Sequence, residues 1–372
     1  MEIREAQEAV VSAGKQLVET GLIARTWGNV SCRIDSSRFA ITPSGMAYDA
    51  LQPEDIAVVC LDDLSWEGPH KPSSEKGVHA EVYRQKPEAG FVIHTHQINA
   101  SVAGVLGADV EITDSDTIRL IGKNAPLAAY GLPGTKRLRK NVAAALTRSD
   151  SRAILMTHHG AVCFGSDSTR AFEAAHALER ACARFIAPRD SALVSTAAMR
   201  SSRRSGSKMM VETDNGFLTF DITSGKGLSP QSIPPEVKIH RAVYLAREDI
   251  NAIVVSALPY TVTASNQLRI VLPMLDDFAQ IVGRNALVVD PADTTAIVKA
   301  LKGRSAVLLK GMGALCCAAD DDEASAVEMV LEKGAVTSIS AAGKNVSPIP
   351  AIECRLMRYV YQKKYSKLKT QK

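Results

Sequence analysis

The second half of this chain repeats the first, and that repetition constrains its fold more than any other feature. Glu75-Lys76-Gly77-Val78-His79 with Val82-Tyr83 returns as Glu236-Val237-Lys238-Ile239-His240 with Val243-Tyr244, a shift of 161 residues (75 to 236). Ala153-Ile154-Leu155 with Gly160-Ala161 and Cys163 returns as Ala306-Val307-Leu308 with Gly313-Ala314 and Cys316, a shift of 153 (153 to 306). The stretch that follows keeps Ala171, Leu178 and Glu179 as Ala324, Leu331 and Glu332. Two tandem copies of one fold satisfy this pattern, and 372 residues is long for a single domain.

Hydrophobic periodicity outlines the first copy. Ala9, Val10, Ala13, Leu17 and Val18 recur at helical spacing, predicting a helix over 4–21 with Gly21 as its stop. Strand-like segments follow near Val30 to Ile34, Phe39 to Thr42 and Ile56 to Leu61. Lys71-Pro72-Ser73-Ser74-Glu75 then opens a helix running to about Arg84, with Ser73 or Ser74 as its N-cap. Next come a strand ending in His94 and His96, a helix near 97–106, a strand over Ala153 to Met156, and a long helix from about Ser168 to Ile186.

Histidine placement carries the chemistry. On a strand, side chains two apart share a face, so His94 and His96 can reach one ion from one rigid element. The pair His158-His159 closes a second apolar segment, and either could add a third nitrogen, leaving an open coordination position as in catalytic zinc sites. An isolated histidine at a strand end is usually a satisfied core residue. Here five of the eight histidines, His79 included, fall in three short segments that also hold polar groups. In the second copy Val255, Ala257 and Met312 stand where His94, His96 and His159 stand in the first, so one metal per chain is expected. His79 and His240, each four residues after a Glu, read as packing or locally hydrogen-bonded residues.

Composition excludes several classes. With 46% hydrophobic and 23% charged residues the chain can build a large core, and a net charge of +4 offers no basic footprint for nucleic acid. No apolar run nears eighteen residues, and the N-terminal stretch lacks the pattern of a signal peptide, so no membrane association is expected. Seven scattered cysteines with no CxxC spacing suit reduced thiols in the cytoplasm. The Ser- and Arg-rich run ending Arg200-Ser201-Ser202-Arg203-Arg204-Ser205-Gly206-Ser207-Lys208 reads as a connector. The organisation expected is therefore a metal-bearing domain over 1–188, a basic linker over 189–208, a degenerate copy over 209–345, and a C-terminal segment with a fraying basic tail over 346–372.

Five motifs in order, Gly28-Asn29-Val30-Ser31, Ile41-Thr42-Pro43-Ser44-Gly45, Lys71-Pro72-Ser73-Ser74-Glu75, His94-Thr95-His96 and His158-His159-Gly160, resemble the class II aldolase/adducin family, in particular its fuculose-1-phosphate aldolase-like members. The resemblance spans about 4–188, with a degenerate copy over about 209–345. It implies an α/β fold of three layers, α/β/α, with a mostly antiparallel central sheet, present as two tandem copies. It also implies Zn2+ held by His94, His96 and His159, choosing the second of the His-His pair, and Glu75 as catalytic base and acid. Gly28, Asn29, Thr42, Ser44, Gly45, Ser73 and Ser74 would grip a phosphate or similar anion.

The implied activity is zinc-dependent aldol cleavage of a short sugar phosphate through a metal-stabilised enediolate, in a homo-oligomer. Two alternatives stand beside it: another metal-dependent reaction on a sugar phosphate or hydroxy acid (epimerisation, dehydration or decarboxylation), and a non-enzymatic adducin-like scaffold. One departure is visible. Where such aldolases carry a proton-donating tyrosine lent by a neighbouring subunit, this chain reads Glu111-Ile112-Thr113-Asp114-Ser115-Asp116-Thr117-Ile118-Arg119-Leu120. The donor would then be an acidic group, Tyr130, or a group from the second copy.

Overall fold

A computed structural model of the chain describes residues 1–23, 27–186, 199–224, 226 and 236–364. They form two units, one built on Met1–Pro188, the other on Arg189–Gly343 with Ser347–Tyr361. The first unit is organised by an eight-stranded sheet in the spatial order Trp66–Glu67, Ala57–Cys60, Arg38–Ile41, Asn29–Arg33, Phe91–Thr95, Ala161–Gly165, Ala153–Met156, Leu127–Ala128. Every neighbouring pair with a defined register is antiparallel except the last, which is parallel.

Helices cover both faces of this sheet, which explains why the central strand Phe91–Thr95 is buried along its whole length and reads as an almost unbroken apolar run. On one face Val30, Cys32, Phe91 and Ile93 pack with the helices Ile3–Glu19, Ile98–Leu106 and Ser168–Phe185. On the other, Phe39, Ile41, Val92 and Val162 pack with Lys76–Gln85 and Lys136–Thr147. This is the three-layer α/β/α arrangement with a mostly antiparallel sheet.

The second unit repeats it. Its eight strands run Gly216–Asp221, Lys208–Thr213, Ser202–Ser205, Ala252–Ser256, Gly313–Ala318, Ala306–Leu309, Ala286–Val289, Ile270–Val271, and the parallel pair is again Ala286–Val289 with Ala306–Leu309. The residues retained between copies mark what the fold needs. Glu179 accepts from the backbone N–H groups of Asn99 and Ala100 at 2.8 and 3.0 Å, and Glu332 does the same for Tyr260 and Thr261 at 2.9 and 2.7 Å. A carboxylate from the long helix thus caps the unsatisfied, positive end of a short one in each copy. A Cβ on Gly160 would lie 2.1 Å from the Thr95 carbonyl, and one on Gly313 2.0 Å from that of Ser256, so only glycine lets these strands approach.

Two of the expected segments hold regular structure. Ser202–Ser205, expected within the connector, is a strand of the second sheet, paired with Lys208–Thr213 and Ala252–Ser256. Its basic residues are used in packing: the Arg204 guanidinium sits over the Tyr244 ring, 4.9 Å from its centroid, as Arg33 sits 4.6 Å over Tyr83. Residues 189–198 of that connector lie outside the described residues. In the C-terminal segment, Ala351–Lys364 is a helix that buries Cys354, Met357 and Tyr361, while the rest of the basic tail, 365–372, also lies outside the described residues. No described helix is long and apolar enough to cross a membrane.

His240 tests the energetics of this inheritance. It is fully buried with no hydrogen bond to either ring nitrogen among the described residues, and burial pushes its pKa down to about 3 from an ordinary 6.5. Because the folded value lies below the unfolded one, the unfolded chain binds more protons between them. Stability from this site is therefore full above about pH 6.5 and declines as pH falls toward 3. We expect His240→Leu to leave stability at pH 7 unchanged or raised, since it removes an unsatisfied polar group, and to flatten the acid loss. Hydrogen exchange of the helix Glu236–Ala246, followed from pH 7 to 4, measures both; equal slopes in the two proteins would contradict the assignment.

Candidate metal centre and active site

The strand Phe91–Thr95 and the tight connection between Ala153–Met156 and Ala161–Gly165 bring three imidazoles together. His94 lies in the strand and His96 just beyond its end, its backbone N–H bonded to the Leu22 carbonyl at 3.2 Å, and both rings reach the cluster. Candidate ligand atoms of His94, His96 and His159 lie within 4.8 Å of one another. The His94 and His159 rings stack at 4.9 Å, and His96 meets both edge-on at 4.7 and 4.8 Å. In the connecting turn His158 adopts a left-handed backbone, φ 62°, and its ring meets Tyr130 edge-on at 5.3 Å. That turn sends the adjacent histidines in different directions, and His159 is the one that joins the cluster.

Proton placement shows what the cluster suits. His94 Nδ1 is 2.9 Å from the Ala161 carbonyl, which accepts only, so Nδ1 carries the hydrogen and Nε2 presents a lone pair. That lone pair faces His96 Nε2 at 2.9 Å and Glu75 Oε2 at 3.1 Å, and Glu75 Oε1 is 3.0 Å from His159 Nε2. Burial would raise the Glu75 pKa, whereas positive charge on His159, His94 or His96 would lower it, the net direction being well below the usual carboxylate range; burial in turn pushes the His94 pKa down. A buried anion and imidazole lone pairs converging on one point fit a divalent cation, with donors of the kind zinc takes.

Glu75 is delivered by a local device that differs from the expected cap. The helix Lys76–Gln85 has Glu75 itself at the N-cap position. Ser73 lies two residues earlier: its hydroxyl accepts from the Glu75 N–H at 3.2 Å and its own N–H donates to the Thr42 carbonyl at 3.0 Å. With Ser44 N–H bonded to the Lys71 carbonyl at 2.9 Å, the loops carrying Thr42, Ser44 and Gly45 (φ 78°) and Ser73 and Ser74 are tied together. Thr42 is fully buried and accepts from the Val30 N–H at 3.3 Å, so its hydroxyl fastens this loop to the sheet. Ser74 is exposed and borders a cavity of about 180 Å³ beside Glu75, which Gly134, Thr135, Lys136 and Arg139 also line.

Asn29 is opposite His94 in the sheet register, so both side chains leave the same face beside the cluster. Gly28 has a plainly structural task. Its φ is 148°, and a Cβ there would lie 2.5 Å from Ile23 Cγ2 and 2.7 Å from the His94 carbonyl. Of the three sources named for the missing tyrosine, Tyr130 lies against His158, while Asp114 caps Thr117 N–H at 2.9 Å and Asp116 pairs with Arg119 on the surface. The sequence reading did not find the buried chain of contacts linking Asn29, His79, Ser31 and Tyr83. His79 and Tyr83 recur as His240 and Tyr244, which marks them as residues of the fold and does not reveal the contact to Asn29.

Comparison with known proteins shows the family. The sequence profile of the Class II Aldolase and Adducin N-terminal domain family matches residues 8–186 and again 197–339. The chain belongs to this family. Among curated proteins it is similar to a 5-deoxy-D-ribulose 1-phosphate aldolase of Bacillus thuringiensis serovar kurstaki, 33% identical over 180 residues that cover 48% of this chain and 83% of the relative. A 5-methylthioribulose-1-phosphate/5-deoxyribulose-1-phosphate aldolase of Rhodospirillum rubrum is 31% identical over 159 residues, 43% of this chain and 70% of the relative. A solved L-fuculose 1-phosphate aldolase superposes with a TM-score of 0.46 at 30% identity, covering 49% of this chain and 84% of that one. The chain is a class II aldolase-like lyase made of two tandem family domains.

Gly28→Ala should strain the backbone and push Asn29 and His94 apart, costing roughly 1–3 kcal/mol. Urea unfolding of the variant, followed beside the wild type, measures this; a change below 0.5 kcal/mol, about the size of an ordinary surface substitution, would show that the close approach is not needed.

Proposed function

We propose that the first domain is a zinc-dependent aldolase that cleaves a carbon–carbon bond of a short ketose 1-phosphate, yielding a phosphorylated three-carbon ketone and an aldehyde. The observation that carries this is the Glu75 carboxylate held within 3.1 Å of two imidazoles of a three-histidine cluster, in the copy that kept all four residues. The substrate class follows the two curated relatives, whose names specify 1-phosphates of five-carbon ketoses.

His94, His96 and His159 would hold the metal, which when bound supplies Lewis acidity toward a neighbouring carbonyl and hydroxyl. Aldol cleavage needs a base for the hydroxyl proton on the departing fragment, then an acid for the carbon left behind. Glu75 is that group: ionised, buried and adjacent to the cluster, it takes the hydroxyl proton and can return one to carbon. Asn29, Ser44, Ser73 and Ser74, with the backbone at Gly45, would orient the phosphate. Tyr130, whose ring lies against His158, is the candidate proposed to stand in for the family tyrosine as a proton carrier beside the departing fragment. The same reading includes self-association of the chain, and a cytoplasmic setting supported by its seven free thiols.

Elemental analysis should find one zinc per chain, because Val255, Ala257 and Met312 offer no imidazole. His94→Ala should empty the site without unfolding the protein. Glu75→Gln should lower kcat by roughly a hundredfold or more with zinc retained. Metal-loaded protein incubated with a panel of ketose 1-phosphates and read by mass spectrometry decides the reaction. Two fragments support cleavage, whereas an unchanged mass, loss of water or loss of CO2 would replace it with epimerisation, dehydration or decarboxylation. Binding without turnover on any member would favour a scaffold.

A further inference from the structure

Asn29 is held from behind by a buried relay of hydrogen bonds. His79 Nε2 lies 2.5 Å from Asn29 Oδ1, His79 Nδ1 lies 2.6 Å from Ser31 Oγ, and Ser31 Oγ lies 2.8 Å from the Tyr83 hydroxyl. His79 and Ser31 are fully buried, Tyr83 and Asn29 nearly so. The amide oxygen of Asn29 can only accept, so His79 Nε2 donates to it. Burial pushes the His79 pKa down to about 4, so near neutral pH the ring is neutral and Nδ1 must accept, which makes the Ser31 hydroxyl its donor. Ser31 then accepts from Tyr83.

This order has a geometric consequence. With its oxygen turned to His79, Asn29 directs its –NH2 away from the relay, on the sheet face that also bears His94. His79 stands one helical turn after Glu75, so one helix presents the carboxylate to the imidazole cluster and fixes the amide beside it. The second copy is an internal control. Ser202 and Tyr244 keep their contact at 3.0 Å, but Arg200 replaces the asparagine two residues before the serine, and His240 has no hydrogen bond among the described residues. The serine–tyrosine contact therefore belongs to the fold. The imidazole–amide contact occurs in the copy that has the three-histidine cluster.

We propose that His79 is a positioning residue which, backed by Ser31 and Tyr83, sets the Asn29 carboxamide so that its –NH2 faces the anionic end of the substrate. This rests on the reading of Asn29 as part of the phosphate grip. The probe is inorganic phosphate binding to zinc-loaded protein, measured by calorimetry, with zinc content and circular dichroism recorded for each variant.

His79→Phe keeps much of the volume and removes both hydrogen bonds; it should weaken phosphate binding about tenfold, the worth of one hydrogen bond to a charged group. His79→Gln, whose Nε2 replaces the ring donor, should restore most of it. Asn29→Ala should lose as much as His79→Phe, and the double variant no more than either. Nitrogen-15 shifts of His79 in the unaltered protein should show the Nε2–H tautomer, a readout that survives if His79→Phe fails to fold. Weakening by Asn29→Ala alone, or an Nδ1–H tautomer, would overturn the role of His79 and leave the phosphate grip standing. No weakening by either variant would overturn the grip itself, and this inference with it.

Discussion

A buried carboxylate surrounded by imidazole lone pairs is the interaction on which the first domain turns. Removing an anion from water is expensive unless it is paired, and the Glu75 oxygens face His94 and His159. The surrounding framework holds that arrangement against its own cost. Ser73 fastens the turn before Glu75, the Ala161 carbonyl locks the His94 tautomer, and the left-handed turn at His158 aims His159 inward. Each device engages a backbone group, so the geometry is set before any ligand arrives, as electrostatic catalysis requires.

The two copies separate folding requirements from chemical ones. Glu179 and Glu332 both cap a short helix, Arg33 and Arg204 both cover a tyrosine, and Gly160 and Gly313 both permit close strand approach. Losing any of these would leave a helix end, a guanidinium or a strand crossing without its partner. By contrast, Val255, Ala257 and Met312 are compatible with the same sheet, because an apolar side chain at a strand end costs the fold nothing. Glu236 and His240 persist in the second copy without the imidazoles that Glu75 faces, both buried. A position kept in both copies is thus weak evidence for chemistry, whereas one polar in the first and apolar in the second marks the site.

Much of this could be read from residue order. Periodicity placed the helix Ile3–Glu19, the strand Phe91–Thr95 and the helix Ser168–Phe185 within a few residues, because their apolar stripes are long and regular. The strand Ser202–Ser205 escaped, since only Ser202 in it is buried and its arginines cover a ring that sequence does not reveal as a neighbour. The cap assigned to Ser73 or Ser74 moved to Glu75 because the local composition Ser-Ser-Glu permits several helix starts, and the bond from Ser73 N–H to Thr42, distant in sequence, selects one.

By itself the sequence determined the tandem repeat, the family, the candidate ligands and the loss of those ligands from the second copy. These depend on residue identity at fixed spacing, which a one-dimensional record preserves. Tertiary structure showed which carbonyl the His94 ring meets, the backbone contacts of Thr42 and Gly28, and that His79 reaches Asn29 rather than merely filling the core. Such facts arise from contacts between segments 12 to 67 residues apart, where an ångström separates a hydrogen bond from packing, and no local pattern encodes that distance.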